Sequence, residues 1–518
     1  MKMPSVMPGG HKFSEVPRAD IPRSAFDRSF GYKTTFDAGY LVPFLVDDVL
    51  PGDTFVVETA AFARLATPLK PLMDNMFMET FYFFIPNRLV WNNWQRFQGE
   101  QDDPGDSTDF LVPVTSGTIA VGSLGDYMGL PPTVNAPVGG DYPFSALPLR
   151  GYNLVYNEFF RDQNLQDSVV VDKDDGPDAM TDYVLLRRGK RFDYFTSCLT
   201  APQKGESVVL PLGTAADVVT GAGVAGAPSV FAATSDYQLM TSSGAFVLVD
   251  ATVGSPANKL FADLTTATAA TINELRQAFQ VQRILERDAR GGTRYIEAIK
   301  ARFGVTSPDA RLQRPEYLGG GSAVITVSPV PQTSEDGSTP QGNLAAFGTV
   351  SFQGHGFAKS FTEHGYILGL VSVRADLTYQ TGLERHWSRQ SRFDFYEPAL
   401  AHLGEQAVLR KEIWVTGNTV NDNLVFGYQE RFAEYRYKPS LITGLFRSNS
   451  ANTLDVWHLA QDFAALPELN AAFIVEDPPI DRVIAVPTEP HFLFDSYTRM
   501  KCARPMPLYG VPGLIDHF

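Results

Sequence analysis

Three groups of residues in this sequence have the types and spacing to do chemistry. The first is Gly221-Ala222-Gly223-Val224-Ala225-Gly226, which has the glycine spacing of a dinucleotide-binding turn. Such a turn works only when a helix follows at once and points its N-terminus at the pyrophosphate. Here Pro228 and the β-prone Ser229-Val230-Phe231 follow instead, so the run reads as a flexible loop. The second group is acidic: Asp102, Asp103, Asp106 and Asp109, then Asp172, Asp174, Asp175 and Asp178. Carboxylates this dense can hold a hard cation through oxygen, but neither run has the order of a calcium-binding loop, and solvated turns are the better reading. Two acids can also meet in space to cleave a glycosidic bond, which the sequence leaves open. The eight histidines are scattered, with His355 and His364 the closest pair, and the only cysteines, Cys198 and Cys502, lie far apart. Neither pattern suits a zinc site. A phosphate-cradling lysine loop, a nucleophile elbow and an H-E-x-x-H helix are all missing. No catalytic residue, cofactor site or metal site is expected.

The third group is basic. Leu186-Arg187-Arg188-Gly189-Lys190-Arg191-Phe192 is the densest cluster of positive charge. Residues 428–447 interleave Arg431, Arg436, Lys438 and Arg447 with Phe432, Tyr435, Tyr437 and Phe446. Unpaired bases stack on aromatics while cations hold phosphates. Tyr and Arg are also enriched at protein interfaces, and this reading is preferred for the stretch. Arg276, Arg283, Arg287 and Arg290 fall on one stripe of a helix expected from Thr271 to Gly291-Gly292, outside an apolar arc of Ile272, Leu275, Ala278, Phe279, Val281 and Leu285. Thr271 and Glu274 have the spacing of a capping box. Arginines near a helix C-terminus also complement its dipole.

The elements that carry these groups are mostly β. Phe, Pro and Gly number 37, 36 and 43, the profile of short strands, many turns and long connections in a sandwich or barrel. Strands are expected at 54–59, 76–85, 323–327, 366–380, 411–416 and 480–486, and helices at 91–97, 145–162 and 295–303. Phe81-Tyr82-Phe83-Phe84 puts aromatic rings on both faces of its strand, so both faces must be covered. Residues 205–270 are rich in Ala, Gly, Thr, Ser and Val, with Lys259 the one basic residue, and read as a surface insertion. The sequence therefore divides into an extended arm (1–39), a first core segment with loops (40–204), the insertion (205–270), helices with the remaining core (271–503), and a tail (504–518).

Both ends are unusual. The arm to Lys33 carries six cations, among them Arg18, Arg23 and Arg28, against three carboxylates, a composition suited to a neighbouring subunit or a polyanion. In the tail, three prolines and two glycines rule out a helix or a paired central strand. Yet Leu508, Tyr509, Leu514, Ile515 and Phe518 are too apolar for solvent, so it is expected to dock on its own subunit and on neighbours. The whole chain is acidic, with a net charge of −15, which argues against a surface that grips nucleic acid everywhere. The N-terminal sequence has no apolar signal region, no run is apolar enough for a membrane helix, and two cysteines make no disulfide framework, so folding in a reducing cytoplasm is expected.

Several long stretches then resemble one family. They include IPRSAFDRSFGYKTTFDAGYLVP (21–43), METFYFFIPNRLVWNNW (78–94), YFTSCLTAPQKG (194–205) and the run from Leu285 to Ser322. Residues 359–389, 396–408 and 426–440 and the closing RPMPLYGVPGLIDHF add to them. Together they are similar to the major capsid proteins of small single-stranded DNA bacteriophages, the gokushovirus branch of the microviruses. The resemblance implies a mainly β fold, an eight-stranded viral jelly roll with long inter-strand insertions and a few helices. It implies that sixty copies form a T=1 icosahedral shell around circular single-stranded DNA, assembled in the host bacterial cytoplasm. It also implies that 205–270 forms a threefold protrusion suited to a host receptor. Because the subunit is acidic, a small basic virion protein or polycations are expected to accompany the DNA. The alternatives from other classes are a carbohydrate-binding or carbohydrate-cleaving β-sandwich, and a soluble single-stranded DNA binder using 428–447.

Overall fold

The computed structural model describes residues 22–134, 141–205, 208, 218–220, 229–231, 237–243, 246–250, 260–262, 272–335, 337 and 339–509. The chain divides into two compact units, Met1–Thr200 with Thr293–Phe518, and Ala201–Gly292.

The larger unit is built on nine strands: β1 (Ser24–Asp27), β2 (Phe30–Phe36), β3 (Val42–Val49), β4 (Thr54–Leu65), β5 (Met76–Pro86), β6 (Glu316–Pro331), β7 (Leu344–Ser360), β8 (Gly365–Ala375) and β9 (Phe492–Arg504). Every pairing among them is antiparallel. One half runs β2-β9-β4-β7 and the other β3-β8-β5-β6. They join where β6 leaves β5 after Ile325 and pairs with β7 from Thr326 onward. β1 continues β2 along the same edge of β9, so the two count as one interrupted strand and the roll has eight. Neighbours in each half are mostly far apart in sequence, which is the Greek-key weave of a jelly roll.

Alternation decides which side chains face inward. Along β4, Phe55, Val57, Thr59, Ala61, Ala63 and Leu65 are buried and the residues between them are not. Tyr82 of β5 donates its hydroxyl to Thr59 of β4 at 2.6 Å, a contact between the two halves. Phe44 of β3 meets Phe494 of β9 at 6.2 Å between ring centres, and Tyr82 meets Phe357 of β7 at 5.5 Å. The expected two-sided strand is β5: Tyr82 and Phe84 enter this core. Phe81 and Phe83 pack outward, against Phe160 and Phe159 respectively, at 5.1 and 4.8 Å. These rings follow helix α1 (Leu147–Val155), whose buried residues close a second core over the β3-β8-β5-β6 half. Gly151 lets α1 approach, since a Cβ there would sit 3.0 Å from Ile85.

Two connections carry the bulk of the rest: residues 87–315 between β5 and β6, and 376–491 between β8 and β9. The first contains the smaller unit, with helix α2 (Ile272–Arg290), and then helix α3 (Tyr295–Phe303) back in the larger unit. The motif at 221–226 and Thr271 of the capping box lie outside the described residues.

Several local expectations are corrected. Of the extended arm expected over 1–39, the stretch 24–36 is not spare for a neighbour along its β9 edge, because it pairs with β9 of the same chain. Residues 411–416 are not a strand: Arg410–Ile413 is a helical turn in which Glu412 accepts the Leu409 N–H at 2.9 Å, and the strand lies earlier, at Glu405–Leu409. Residues 480–486 hold a 3-10 turn, Ile480–Arg482, after the Pro478-Pro479 pair that cannot donate to a ladder. The helix expected at 91–97 is only the turn Trp94–Phe97.

Candidate subunit interface

The 376–491 connection holds the cation-and-aromatic stretch picked out from sequence. Its floor is a third core, in which Tyr194, Phe195 and Cys198 pack with Tyr379, Val408, Ile413, Phe426 and Phe473. The hairpin Glu405–Leu409 with Val425–Glu430 spans it. Above that floor the cations are partnered within the chain. Glu412, nearly buried, accepts from Arg385 at 3.1 Å and from the Tyr194 hydroxyl at 2.8 Å. Burial pushes its carboxyl up, in spite of the Arg385 charge that favours ionisation. Glu434 accepts from Arg389 at 3.1 Å and from Gln406 at 2.6 Å. Lys438 donates to Glu384 at 2.6 Å, and Arg436 pairs with Glu430. Arg431 lies over the Phe432 ring at 5.1 Å, and Arg389 over the Tyr435 ring at 4.3 Å. Tyr194, Tyr379, Tyr437 and Leu441 border a cavity of about 160 Å³ among these pairs.

Outward from the paired charges stand aromatic rings. Trp387 is 73% exposed, and Phe393, Phe395, Tyr396 and Tyr435 are about half exposed. Tyr396 lies 5.3 Å from Phe432 and 6.0 Å from Tyr435, and its amide donates to the Tyr435 hydroxyl at 3.2 Å. Rings held in place by one another and by neutralised cations lose little freedom when covered, which suits an interface anchor. A phosphate would have to displace a carboxylate already seated on most of these cations. Sequence reading missed Trp387, Phe393, Phe395 and Tyr396, although His386–Tyr396 has the same interleaving of rings and arginines as 428–447. It also missed the partners Glu384, Glu412 and Glu434, because it counted cations alone.

The other basic candidates are spread. Arg187 pairs with Asp477 and lies 4.3 Å from the Tyr40 ring centre; Arg188 meets Glu79 at 2.5 Å, beside Arg374 at 2.9 Å. Lys190 is buried 4.6 Å above the Phe473 ring, and burial pulls its ammonium down. These three tie residues 187–190 to β5, β8 and the segment 473–477. Arg191 is exposed. Arg23 reaches Gly52, Thr54 and Ala503, and Arg28 grips Asp47 with two contacts of 2.7 Å. Arg276, Arg283 and Arg287 are exposed along α2 in the smaller unit. Leu508 and Tyr509 are exposed; Arg18, Leu514, Ile515 and Phe518 lie outside the described residues.

The second acidic run surrounds an internal cation. Arg150, fully buried, meets Asp178 at 2.8 and 2.5 Å and Asp174 at 3.3 Å, while Asp175 accepts from Trp91 at 2.7 Å. Among the described residues no three His, Cys, Asp or Glu side chains converge as a metal site would require, and no helix is long and apolar enough to cross a membrane.

A jelly roll with long insertions, internally neutralised arginines and outward aromatics suits a structural shell subunit. The comparisons agree: residues 14–514 match the family model described as capsid protein (F protein), and the chain belongs to that family. It is 47% identical to the capsid protein VP1 of Bdellovibrio phage phiMH2K, over 98% of each chain. It is 44% identical to the capsid protein VP1 of Chlamydia phage 1, over 99% of each, and 37% identical to that of Spiroplasma virus 4, over 97% of each. The chain is thus a non-enzymatic major capsid protein of a gokushovirus-like microvirus, a component of the virion that self-assembles into the shell. The carbohydrate-active alternative is not favoured.

Proposed function

We propose that sixty copies of this chain close a T=1 icosahedral shell around circular single-stranded DNA, with the aromatic surface of 376–491 and the tail 504–518 covered by neighbouring copies. The observation that carries this is the exposed cluster Trp387, Phe393, Phe395 and Tyr396 over cations that already have carboxylate partners. An apolar surface of this kind on a lone molecule is an aggregation hazard; between sister subunits it is binding energy. Sixty copies at −15 each carry about −900, so a small basic virion protein or polycations would neutralise most of the genome. Residues 205–270 would supply the threefold protrusion that meets the host receptor. Assembly would take place in the bacterial cytoplasm, where the two unbridged cysteines stay reduced.

The test is assembly of the full chain beside a chain ending at Arg504, followed by size-exclusion chromatography and electron microscopy. The expected outcome is closed particles from the first and soluble, folded subunits from the second. Normal particle yield without the tail would refute its role, and a full chain that stays monomeric under all assembly conditions would refute the shell.

A further inference from the structure

The two outer faces of the roll are treated differently. Helix α1 and the rings after it cover the β3-β8-β5-β6 half, whereas among the described residues nothing covers the outer face of the β2-β9-β4-β7 half. The register sets out that face. Phe62 of β4 lies opposite Asp495 of β9, with Leu493 and Tyr497 two positions to either side. Phe62, Leu493 and Tyr497 are each a little over half exposed. Tyr497 stands between Gly31 of β2 and Ala60 of β4, which leave its ring without tall neighbours. A shallow groove of about 500 Å³ runs between Phe62 and Tyr497 over Ala60, with Ser351 and Gln353 along its side.

Cations frame these rings. Lys33 flanks Phe62 across Asp495, Arg64 lies opposite Leu493, and Arg499 and Lys501 continue along β9. Lys33 pairs with Asp495 at 3.4 Å and Arg499 with Glu58 at 3.8 Å, with all four side chains about half exposed or more. Solvent-exposed pairs of this kind are worth little, so a phosphate can replace the carboxylate at small cost. The arginines of the 376–491 surface are held in shorter and more buried pairs. Counting Asp27 beside Lys501, these four cations stand against three carboxylates, in a chain of net −15.

We propose that this face, with Phe62 and Tyr497 as stacking rings and Arg64 and Lys501 as phosphate contacts, binds single-stranded nucleic acid and is the side of the subunit turned toward the packaged genome. It rests on the reading of a shell around single-stranded DNA. Rings on an open sheet among cations are the chemistry that sequence-tolerant single-strand binding uses. A second copy of the chain or a small basic protein are the other possible occupants, and the small cationic excess disfavours the latter.

The experiment compares the full-length protein with F62A/Y497A and R64A/K501A, all four being surface positions whose truncation leaves the core intact. Binding of a fluorescent oligothymidylate is followed by anisotropy across a salt series, and particle yield is measured in parallel. The ring variant is expected to lose about tenfold or more in affinity. The cation variant is expected to lower the slope of log K against log salt by about 1.4. Both should still form particles, with less DNA retained. Unchanged affinity and slope overturn the proposal, as does an oligonucleotide that the parent protein does not bind. If particle yield falls while oligonucleotide binding holds, the face belongs to a second copy; if particles form but a basic virion protein is lost, it belongs to that protein. A failure of the shell reading would show as absent particles from the parent chain itself.

Discussion

Replacing Arg150 with methionine tests how the acidic run is held. Each part of the guanidinium has a partner: Nε and Nη2 meet Asp178, Nη2 also meets Asp174, and Nη1 donates to the Val90 and Asp174 carbonyls at 3.0 and 2.9 Å. Asp178, whose side chain is 1% exposed, also accepts from the Tyr183 hydroxyl. Methionine keeps much of the volume but leaves a buried carboxylate without its counter-charge, and such losses cost about 3–5 kcal/mol. Asn at 178 strands the arginine instead, so the double variant R150M/D178N should cost clearly less than the two single losses added together. Urea unfolding of the soluble subunit, followed by tryptophan fluorescence, reads all three. Burial works against ionisation of Asp178, but hydrogen bonds from Arg150 and Tyr183 outweigh it and hold the carboxyl below its ordinary value. A depressed carboxyl stabilises the fold above the unfolded-state pKa, and the stabilisation is lost as pH falls from the ordinary carboxylate range through the depressed value. The parent should therefore lose stability more steeply than R150M/D178N in that acid window. A single R150M variant within about 1 kcal/mol of the parent, or singles that simply add, would refute the account.

Three further outcomes follow from the same packing. W387S/Y396S should leave the unfolding free energy of the subunit within about 0.5 kcal/mol of the parent while lowering particle yield, since both rings are surface residues; sedimentation separates the two effects. Cys198 and Cys502 are buried and burial pushes both thiols up, so a thiol reagent should label neither in the folded subunit and both once urea unfolds it. G356V should cost about 2 kcal/mol or more, because a Cβ at that position of β7 would lie 1.9 Å from the Val57 carbonyl oxygen of β4; a variant with parental melting behaviour would show that the strands can part there.

The β5 strand and α1 were readable because each has one periodicity and a complete local signal. Four consecutive aromatics can be buried only if both faces are covered, and the helix that covers one of them begins at a proline with rings at helical spacing. The last strand was equally periodic, with Phe492, Phe494, Ser496, Thr498, Met500 and Cys502 facing inward. It escaped notice because half its inward residues are small or polar, and Thr498 reaches Thr59 at 3.0 Å where an apolar contact would be expected. The pairing of β2 was hidden for a related reason: it alternates half-buried with exposed residues, and nothing within it says that its partner is the strand at 492–504.

Charge was harder to read than fold, and the reason is geometric. Cations adjacent in sequence, such as Arg187, Arg188 and Lys190, each find a carboxylate or ring from a distant part of the chain, Arg188 on β5 and the other two on the segment 473–477. Density along the sequence therefore marked a place where the fold neutralises charge internally. A surface that presents cations outward has to place them at alternate positions of strands, diluted by the inward residues between them. Arg499 and Lys501 are two apart on β9, while Arg64 and Lys33 come from β4 and β2, so no sequence window contains them all. In a sheet protein the exposed electrostatic surface is written across strands, and it becomes visible only when the register is known.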